Sequence, residues 1–508
     1  MPKVGTRSTE DTTAGAKRRK GQNGQSVPVK KTAAKKATAT KKTAGTRKAT
    51  TAKKPAAKTA AKKAVAKKPV AKKPVAKKPV AKKPAAKKPE PKEEPKEPLP
   101  APFLKPRVAP VHKVPKRETE SGTTMVFGNG DCGQLGLGED MIERKKPYVV
   151  PQLESVKVVD LACGGLHTIA LAADGQLWSW GCNDQKALGR DGDEFVAAPV
   201  QGLEGVRVTK VACSDSASFA LGEDGYVYAW GTFRSAEGIM GFSASVLVQE
   251  RPVVMNEFRE PVVDLCAGVD HALALSVSGK VYAWGYAQQG QLGRLVMERR
   301  RLHGLTPERL RLHDIYRIGC GSYHSFAVSK DGVVYAWGLN NFHQLGLKPN
   351  EGGSEEIVYE PTRVSALEGI NIAKISGGEH HTIALAADGA LYSFGRSDSH
   401  QTGLPFSTLP SDAASGDSDA SAHKKAITVP TQITSLPPIA DFACGSNHNI
   451  ALSKDKKAYT WGYGEMLQLG NGEEEDVELP MLLEGKRVDD KAILKVAAGG
   501  QHSVVLVA

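Results

Sequence analysis

The chain is 508 residues long, too many for one ordinary domain, so several domains or a repeat array are expected. Residues 1–120 hold 36 Lys and Arg against 8 Asp and Glu, a net of +28, and the totals of 69 and 55 leave 33 against 47, a net of −14, for residues 121–508. A basic arm thus precedes an acidic body, attraction to nucleic acid belongs to the arm, and the lack of any run of about eighteen apolar residues argues against a membrane span or secretory signal.

The arm opens with a basic cluster, Lys17, Arg18, Arg19 and Lys20. Over residues 61–90 it repeats AKKPV and close variants, with paired lysines such as Lys67-Lys68 and Lys72-Lys73. Pro69, Pro74, Pro79, Pro84 and Pro89 forbid a continuous helix, and nothing larger than Val is there to bury. Residues 1–90 are therefore expected to be a disordered tail, extended by self-repulsion. Such a chain suits phosphate backbones, because each neutralised phosphate releases counterions without fixed geometry. Its composition resembles the basic tails of linker histones. Sequence-independent DNA binding and capture by nuclear import receptors are both expected of it. Residues 91–120 turn Pro- and Glu-rich and are expected to be a linker.

From residue 123 the sequence repeats about every fifty residues, marked by Phe127-Gly128, Trp180-Gly181, Trp230-Gly231, Trp284-Gly285, Trp337-Gly338, Phe394-Gly395 and Trp461-Gly462. In HSFAVSKDGVVYAWG (324–338), two runs of period two flank Asp331-Gly332, a hairpin signal that recurs at Asp174-Gly175, Asp224-Gly225 and Asp388-Gly389. A strand ending in a Gly-rich bend precedes each hairpin, as in VKVVDLACGG (156–165), and a fourth short stretch ends near Pro, as in KKPYVV (145–150). Four short strands cannot cover both faces of their own sheet, so seven such units should stack in a ring. An all-β, seven-bladed β-propeller over residues 121–508 is expected. The last repeat ends in SVVLVA without its hairpin partner, which TTMVFG (123–128) can supply, leaving no open edge. Residues 405–425 are expected to be a disordered insertion.

Within the repeat, Cys163, Cys213, Cys320 and Cys444 share a slot with Ala267, Ser376 and Ala498, which marks packing thiols in a reducing compartment. His167, His271, His324, His380, His448 and His502 share another, with Ala217 the exception. Slots spread round a ring cannot converge on a metal, so these imidazoles are expected to bond backbone carbonyls within their own blades. Neither metal nor cofactor is expected. Departures from the repeat are more informative, because packing does not require them. Asp215 and Asp270 stand in Gly-rich bends, and His381 doubles His380; each could equally be ordinary loop variation. In the third copy, WGTFRSAEGIMG (230–241), the second glycine comes ten residues after the first where in the other six it comes eight after. MERRRLHGLTPERLR (297–311) clusters Arg299, Arg300 and Arg301, either a solvated loop or an anchor for phosphate or an acidic protein surface.

The unit G-x-x-H-(S/T)…D-G-x-(V/L)-(Y/W)-x-W-G…Q-L-G resembles that of the regulator of chromosome condensation family. The likeness spans all seven copies and extends to MIERKKP (141–147), GCNDQKALGRD (181–191) and GGEHHT (377–382), which resemble the family's exchange factors for the small GTPase Ran. It implies that Asp215, Asp270 and His380, with His381 beside it, contact Ran. It implies that Thr232, Phe233, Arg234, Ser235, Ala236, Glu237, Gly238, Ile239, Met240 and Gly241 form a wedge pushed against the nucleotide-binding region. Arg299, Arg300 and Arg301 would engage the acidic histone surface of the nucleosome. A nuclear, chromatin-attached guanine-nucleotide exchange factor follows, supporting nucleocytoplasmic transport and spindle and envelope assembly. Exchange needs no covalent catalyst, and the chain has no Walker lysine loop or nucleophile elbow. The alternative is a chromatin-binding propeller adaptor without exchange activity.

Overall fold

The computed structural model describes residues 112–409 and 425–508. Lys17, Arg18, Arg19, Lys20, Lys67, Lys68, Lys72 and Lys73, and residues 410–424 of the expected insertion, lie outside the described residues. Seven four-stranded antiparallel sheets and one separate two-stranded hairpin are formed. The inner strands Val158–Cys163, Val208–Cys213, Val262–Ala267, Ile315–Cys320, Ile372–Gly377, Ile439–Cys444 and Ile493–Ala498 define blades 1 to 7 around a central channel. In blade 7 the first strand, Thr123–Asn129, pairs with the last, His502–Val507, from Thr123 opposite Val507 to Gly128 opposite His502. The two ends of the repeat region thus close the ring.

The aromatic-Gly pairs explain themselves as packing between blades. Trp180, Trp230, Trp337 and Trp461 are fully buried. Each indole donates to a backbone carbonyl in the loop leaving the preceding blade, as Trp230 Nε1 does to Ala187 at 2.7 Å. The glycine after each tryptophan permits a backbone turn: Gly231 has φ +93°, and a Cβ there would collide with the Ser216 carbonyl oxygen.

The histidines correct the expectation in two ways. His381, not His380, begins its strand and faces Gly395 in the register that His271 keeps with Gly285. The copy at 377–382 is therefore shifted by one residue: Gly377, not Ser376, fills the small-residue slot, and His380 is the additional imidazole. Nor do the rings bond carbonyls of their own blades. Each reaches the side chain that follows the equivalent position on the next blade: His167 to Ser218, His271 to Ser325, His324 to Thr382, His381 to Asn449, His448 to Ser503 and His502 to Thr168, all at 2.8–2.9 Å. A polar tie thus joins neighbouring blades. Where the histidine is replaced by Ala217, its partner position on the next blade is Ala272, and both alanines belong to an apolar core with Phe219 and Trp284. The loss of the donor is matched by the loss of the acceptor, so no buried polar atom is stranded.

Burial holds five of these rings neutral: His167 and His381 fall to about 4, His448 and His502 to about 3, and His324 well below its ordinary value. Below pH ~6.5 the unfolded chain takes up protons that the folded one refuses, so stability falls with pH until the folded values are reached. Asp215 and Asp270, whose carboxyls are raised, oppose this over part of the window. Each pH unit of depression is worth about 1.4 kcal/mol, so five rings outweigh two carboxyls. The thermal midpoint is expected to drop steeply between pH 6.5 and 4, as calorimetry across that range would record. A midpoint flat over this window would contradict neutral ties.

Two features position the faces of the ring. Inside the channel, the third residue of each inner strand is charged: Asp160, Lys210, Asp264, Arg317, Lys374, Asp441 and Lys495. Lys210 pairs with Asp264, Lys374 with Asp441 at 2.6 Å and Lys495 with Asp160 at 4.0 Å. Seven positions cannot alternate in sign throughout, and the like-charged neighbours fall at Arg317 and Lys374. Across the face bearing the Asp-Gly turns runs residues 112–122. His112 Nε2 lies 2.9 Å from the Ile315 carbonyl and the ring stacks on Tyr316; Glu118 and Glu120 pair with Lys495 and Lys456; Gly122 bridges to Val158. The part of the expected linker from His112 onward is therefore packed on the propeller.

Candidate functional site

The Gly-rich bends form the opposite rim, and backbone bonds lace them together. Asp215 N–H donates to Val269, Val269 to Ser322, Ser322 to Gly378, Glu379 to Ser446 and Gly500 to Gly165, at 2.8–3.1 Å. A side chain on one bend is thus fixed relative to the next. Register puts Asp270, Tyr323 and His380 at equivalent bend positions, each directly before the first hairpin-strand residue of blades 3, 4 and 5. Asp215 and Glu379 occupy the preceding position on blades 2 and 5.

Asp215 reaches solvent at the mouth of the channel, yet neighbouring bends crowd it. That crowding, with the Asp270 carboxylate beside it, pushes its carboxyl up to about 7, against a bond from the Gly165 N–H. Asp270 is more enclosed, and burial raises its carboxyl to about 6 although the Arg234 backbone N–H bonds it at 2.6 Å. The two acids are therefore brought together at one place on the rim. His380 lies two blades away from Asp270. Its Nε2 is 3.7 Å from Glu379, its ring packs 4.9 Å from Phe342, and burial lowers its basicity. His381 points elsewhere: it is buried in the blade tie to Asn449 and presents nothing to the rim.

The longer loop of the third copy folds as the separate hairpin, Phe233–Ser235 paired with Gly238–Gly241, rising from blade 2. The alternation of a strand divides its residues. Phe233 and Met240 are buried in one cluster with Phe219, Trp284 and Leu305, and Phe233 stacks on Phe219 at 6.2 Å between centroids. Arg234, Ala236, Glu237 and Ile239 face outward, Ile239 being 44 % exposed. Ser235 Oγ accepts from Glu237 N–H and donates to the Gly238 carbonyl, closing the turn. Thr232 is buried and its hydroxyl donates to the Leu247 carbonyl at 2.7 Å. The two residues extra to the repeat thus become a tip, while Asp270 on the next blade holds its base.

Arg299, Arg300 and Arg301 lie on a 3-10 segment, Glu298–Leu305, and all three are exposed. Arg301 pairs with Glu237 on the hairpin tip at 2.7 Å, whereas Arg299 and Arg300 make no ion pair among the described residues. Leu305 shares the core of Phe233 and Met240, so hairpin and arginine segment stand side by side. Repeat comparison did not single out Tyr286, which bonds the Ala236 backbone, or Tyr323 and Glu379 on the rim. Also missed is Leu247, 60 % exposed, whose carbonyl accepts from Thr232 at the base of the hairpin. Tyr323 and Glu379 could have been found by aligning the bend residues before each histidine; the approach of Tyr286 to the hairpin is tertiary. Among the described residues no three His, Cys, Asp or Glu side chains group as metal ligands. The rim can bind and deform a partner, but carries no nucleophile–base pair.

Comparison with known proteins bears on what that partner is. Residues 123–505 match the family model described as RCC1-like domain. Protein pim1 of Schizosaccharomyces pombe is 39 % identical, covering 80 % of this chain and 78 % of the relative. Guanine nucleotide exchange factor SRM1 of Saccharomyces cerevisiae is 37 % identical, covering 74 % and 86 %. The crystal structure of Prp20p from Saccharomyces cerevisiae, described together with its binding properties to Gsp1p and histones, superposes with a TM-score of 0.73 at 37 % identity, over 77 % of this chain and 93 % of that one.

Proposed function

Since this chain belongs to the regulator of chromosome condensation family, we propose that its bend rim is the surface on which a Ran-class small GTPase exchanges guanine nucleotide. The protein regulates a GTPase and performs no covalent chemistry. The observation that carries the assignment of the site is the hairpin at Phe233–Gly241, present among the described residues on one blade only and tied at its base to Asp270.

The mechanism is differential binding. A factor that holds the nucleotide-free GTPase more tightly than the loaded one weakens nucleotide binding by the same ratio. Bringing a picomolar complex to micromolar takes about 8 kcal/mol. A tip anchored by Phe233 and Met240 in the core, on a ring laced by backbone bonds, can press into a partner without yielding. Arg234, Glu237 and Ile239 are the groups it presents. Asp215, Asp270 and Glu379 make the adjoining rim acidic and suit a basic partner surface, and His380 and Tyr323 extend it across blades 4 and 5. His381 contributes through the fold alone. Direction comes from nucleotide supply, because release is accelerated for either nucleotide.

Chromatin association is in keeping with the histone binding described for Prp20p. Arg299 and Arg300, exposed and without an ion pair among the described residues, would meet the acidic histone surface, and the Lys-rich arm would hold DNA without sequence preference and carry the import signal. The protein is thereby nuclear and chromatin-associated, and loads Ran around chromosomes, in support of transport and of spindle and envelope assembly. An adaptor lacking exchange activity would have no use for a supported hairpin.

The test is release of a fluorescent guanine nucleotide from Ran with the full chain in catalytic amounts. Multiple turnovers of release are expected; release no faster than the intrinsic rate would leave the adaptor. Reversal of charge at Arg299 and Arg300 to Glu is expected to weaken mononucleosome binding about ten- to a hundred-fold. Titration by fluorescence anisotropy reads this, and unchanged affinity would remove the two arginines from the interface.

A further inference from the structure

The slot thiols follow a rule round the channel. The side chain of each leans on the preceding blade, next to the last-but-one residue of its inner strand: Cys213 on the Ala162 carbonyl at 3.6 Å, Cys444 on that of Ser376 at 3.8 Å. That neighbouring residue is Ala162, Ala212, Gly319, Ser376, Ala443 or Ala497 on six blades, and Cys266 on blade 3. Cys266 therefore stands where packing asks only for a small residue, and the thiol that leans on it is Cys320. Their sulfurs are 3.0 Å apart, about 1 Å beyond a disulfide bond. Both side chains line the channel, a cavity of about 470 Å³ that also contains Lys210, Arg317 and Lys374. A small oxidant has room there, and Asp264, which also lines it, pairs with Lys210.

We propose that Cys266 and Cys320 form a dithiol redox site, oxidised by hydrogen peroxide to a disulfide that fastens blade 3 to blade 4. Burial would raise the Cys320 thiol, but the hydrogen bond from Cys266 and the nearby His271 outweigh it and hold Cys320 toward its thiolate, whereas Cys266 stays protonated. The Cys320 thiolate attacks the peroxide: an S–O bond forms, the O–O bond breaks, and the departing hydroxide takes a proton as water. The Cys266 sulfur then attacks the sulfenic sulfur. An S–S bond forms, S–O breaks, and the Cys266 proton leaves with the hydroxyl as a second water. Two thiols thus give two electrons to the peroxide, and a small thiol reductant reverses the exchange. The loop closed, 266–320, carries Asp270 and the arginine segment, so the bond joins the blade presenting them to its neighbour.

The experiment treats the full chain with hydrogen peroxide and maps its thiols. The expected result is a fall from the seven free cysteines of the reduced protein to five, a peptide joining Cys266 to Cys320, and recovery of both with dithiothreitol. In Cys266→Ser, whose hydroxyl can still donate to Cys320, Cys320 should stall as the sulfenic acid and take up dimedone, which the wild type does not. Oxidation of either residue to sulfinic acid without the joined peptide would overturn the proposal, as would a joined peptide of Cys163 and Cys213 instead. Equal dimedone uptake in wild type and Cys266→Ser would do the same.

Discussion

Asp270→Ala is expected to slow catalysed nucleotide release about ten- to a hundred-fold while the propeller stays folded. The carboxylate accepts the Arg234 N–H at 2.6 Å, and this bond joins the rim of blade 3 to the base of the hairpin on blade 2. A hydrogen bond to a charged group contributes about 1.5–3 kcal/mol, and about 1.4 kcal/mol is a tenfold change. The loss should appear in release rather than in stability, because the hairpin remains rooted through Phe233 and Met240. Asp270→Asn keeps an acceptor at the same place and should retain part of the activity. The release rate at saturating GTPase, read beside the thermal midpoint, separates the effects. Release at the wild-type rate from Asp270→Ala would mean that the hairpin needs no support from this carboxylate.

Removing Ser503–Ala508 should abolish folding of the propeller. Val504, Val505, Leu506 and Val507 are all fully buried, and the strand supplies the partner of Thr123–Asn129. Four fully buried aliphatic side chains contribute about 1.5–3 kcal/mol each, a sum comparable with the whole ~5–15 kcal/mol stability of a domain. The truncation also strands His448, whose partner is Ser503 at 2.9 Å. Circular dichroism should find no cooperative thermal transition, whereas removal of the exposed Ala508 alone should leave the midpoint unchanged. A truncated protein melting near the wild type would show that the ring does not depend on its closing strand.

The propeller was legible because its period is written seven times and each copy carries its own hairpin turn. Ring closure was legible too, from a last repeat that lacks a strand the first residues can supply. The histidine ties were half legible. The doublet His380-His381 leaves the phase of that copy open by one residue, and only pairing of His381 with Gly395 fixes it. The partners could have been suspected from Thr168, Ser218, Ser325, Thr382, Asn449 and Ser503, polar residues on otherwise apolar strands, and from the joint change to alanine at 217 and 272. The longer third loop pointed to the hairpin, but not to its support by Tyr286 and Arg301, because those contacts join segments from another blade. The Cys266–Cys320 approach was hidden for the same reason: residues 54 apart in sequence meet only when two blades stand side by side.

The central claim is that the hairpin tip drives nucleotide release. Deleting Ala236 and Glu237 returns the third copy to the eight-residue spacing of the other six, and it spares the anchors Phe233 and Met240. The decisive measurement is nucleotide release from Ran by this variant and the wild type at equal thermal midpoints. The account predicts fast release by the wild type and near-intrinsic release by the shortened form, which still binds the GTPase through the rim. Equal rates from the two proteins would contradict it.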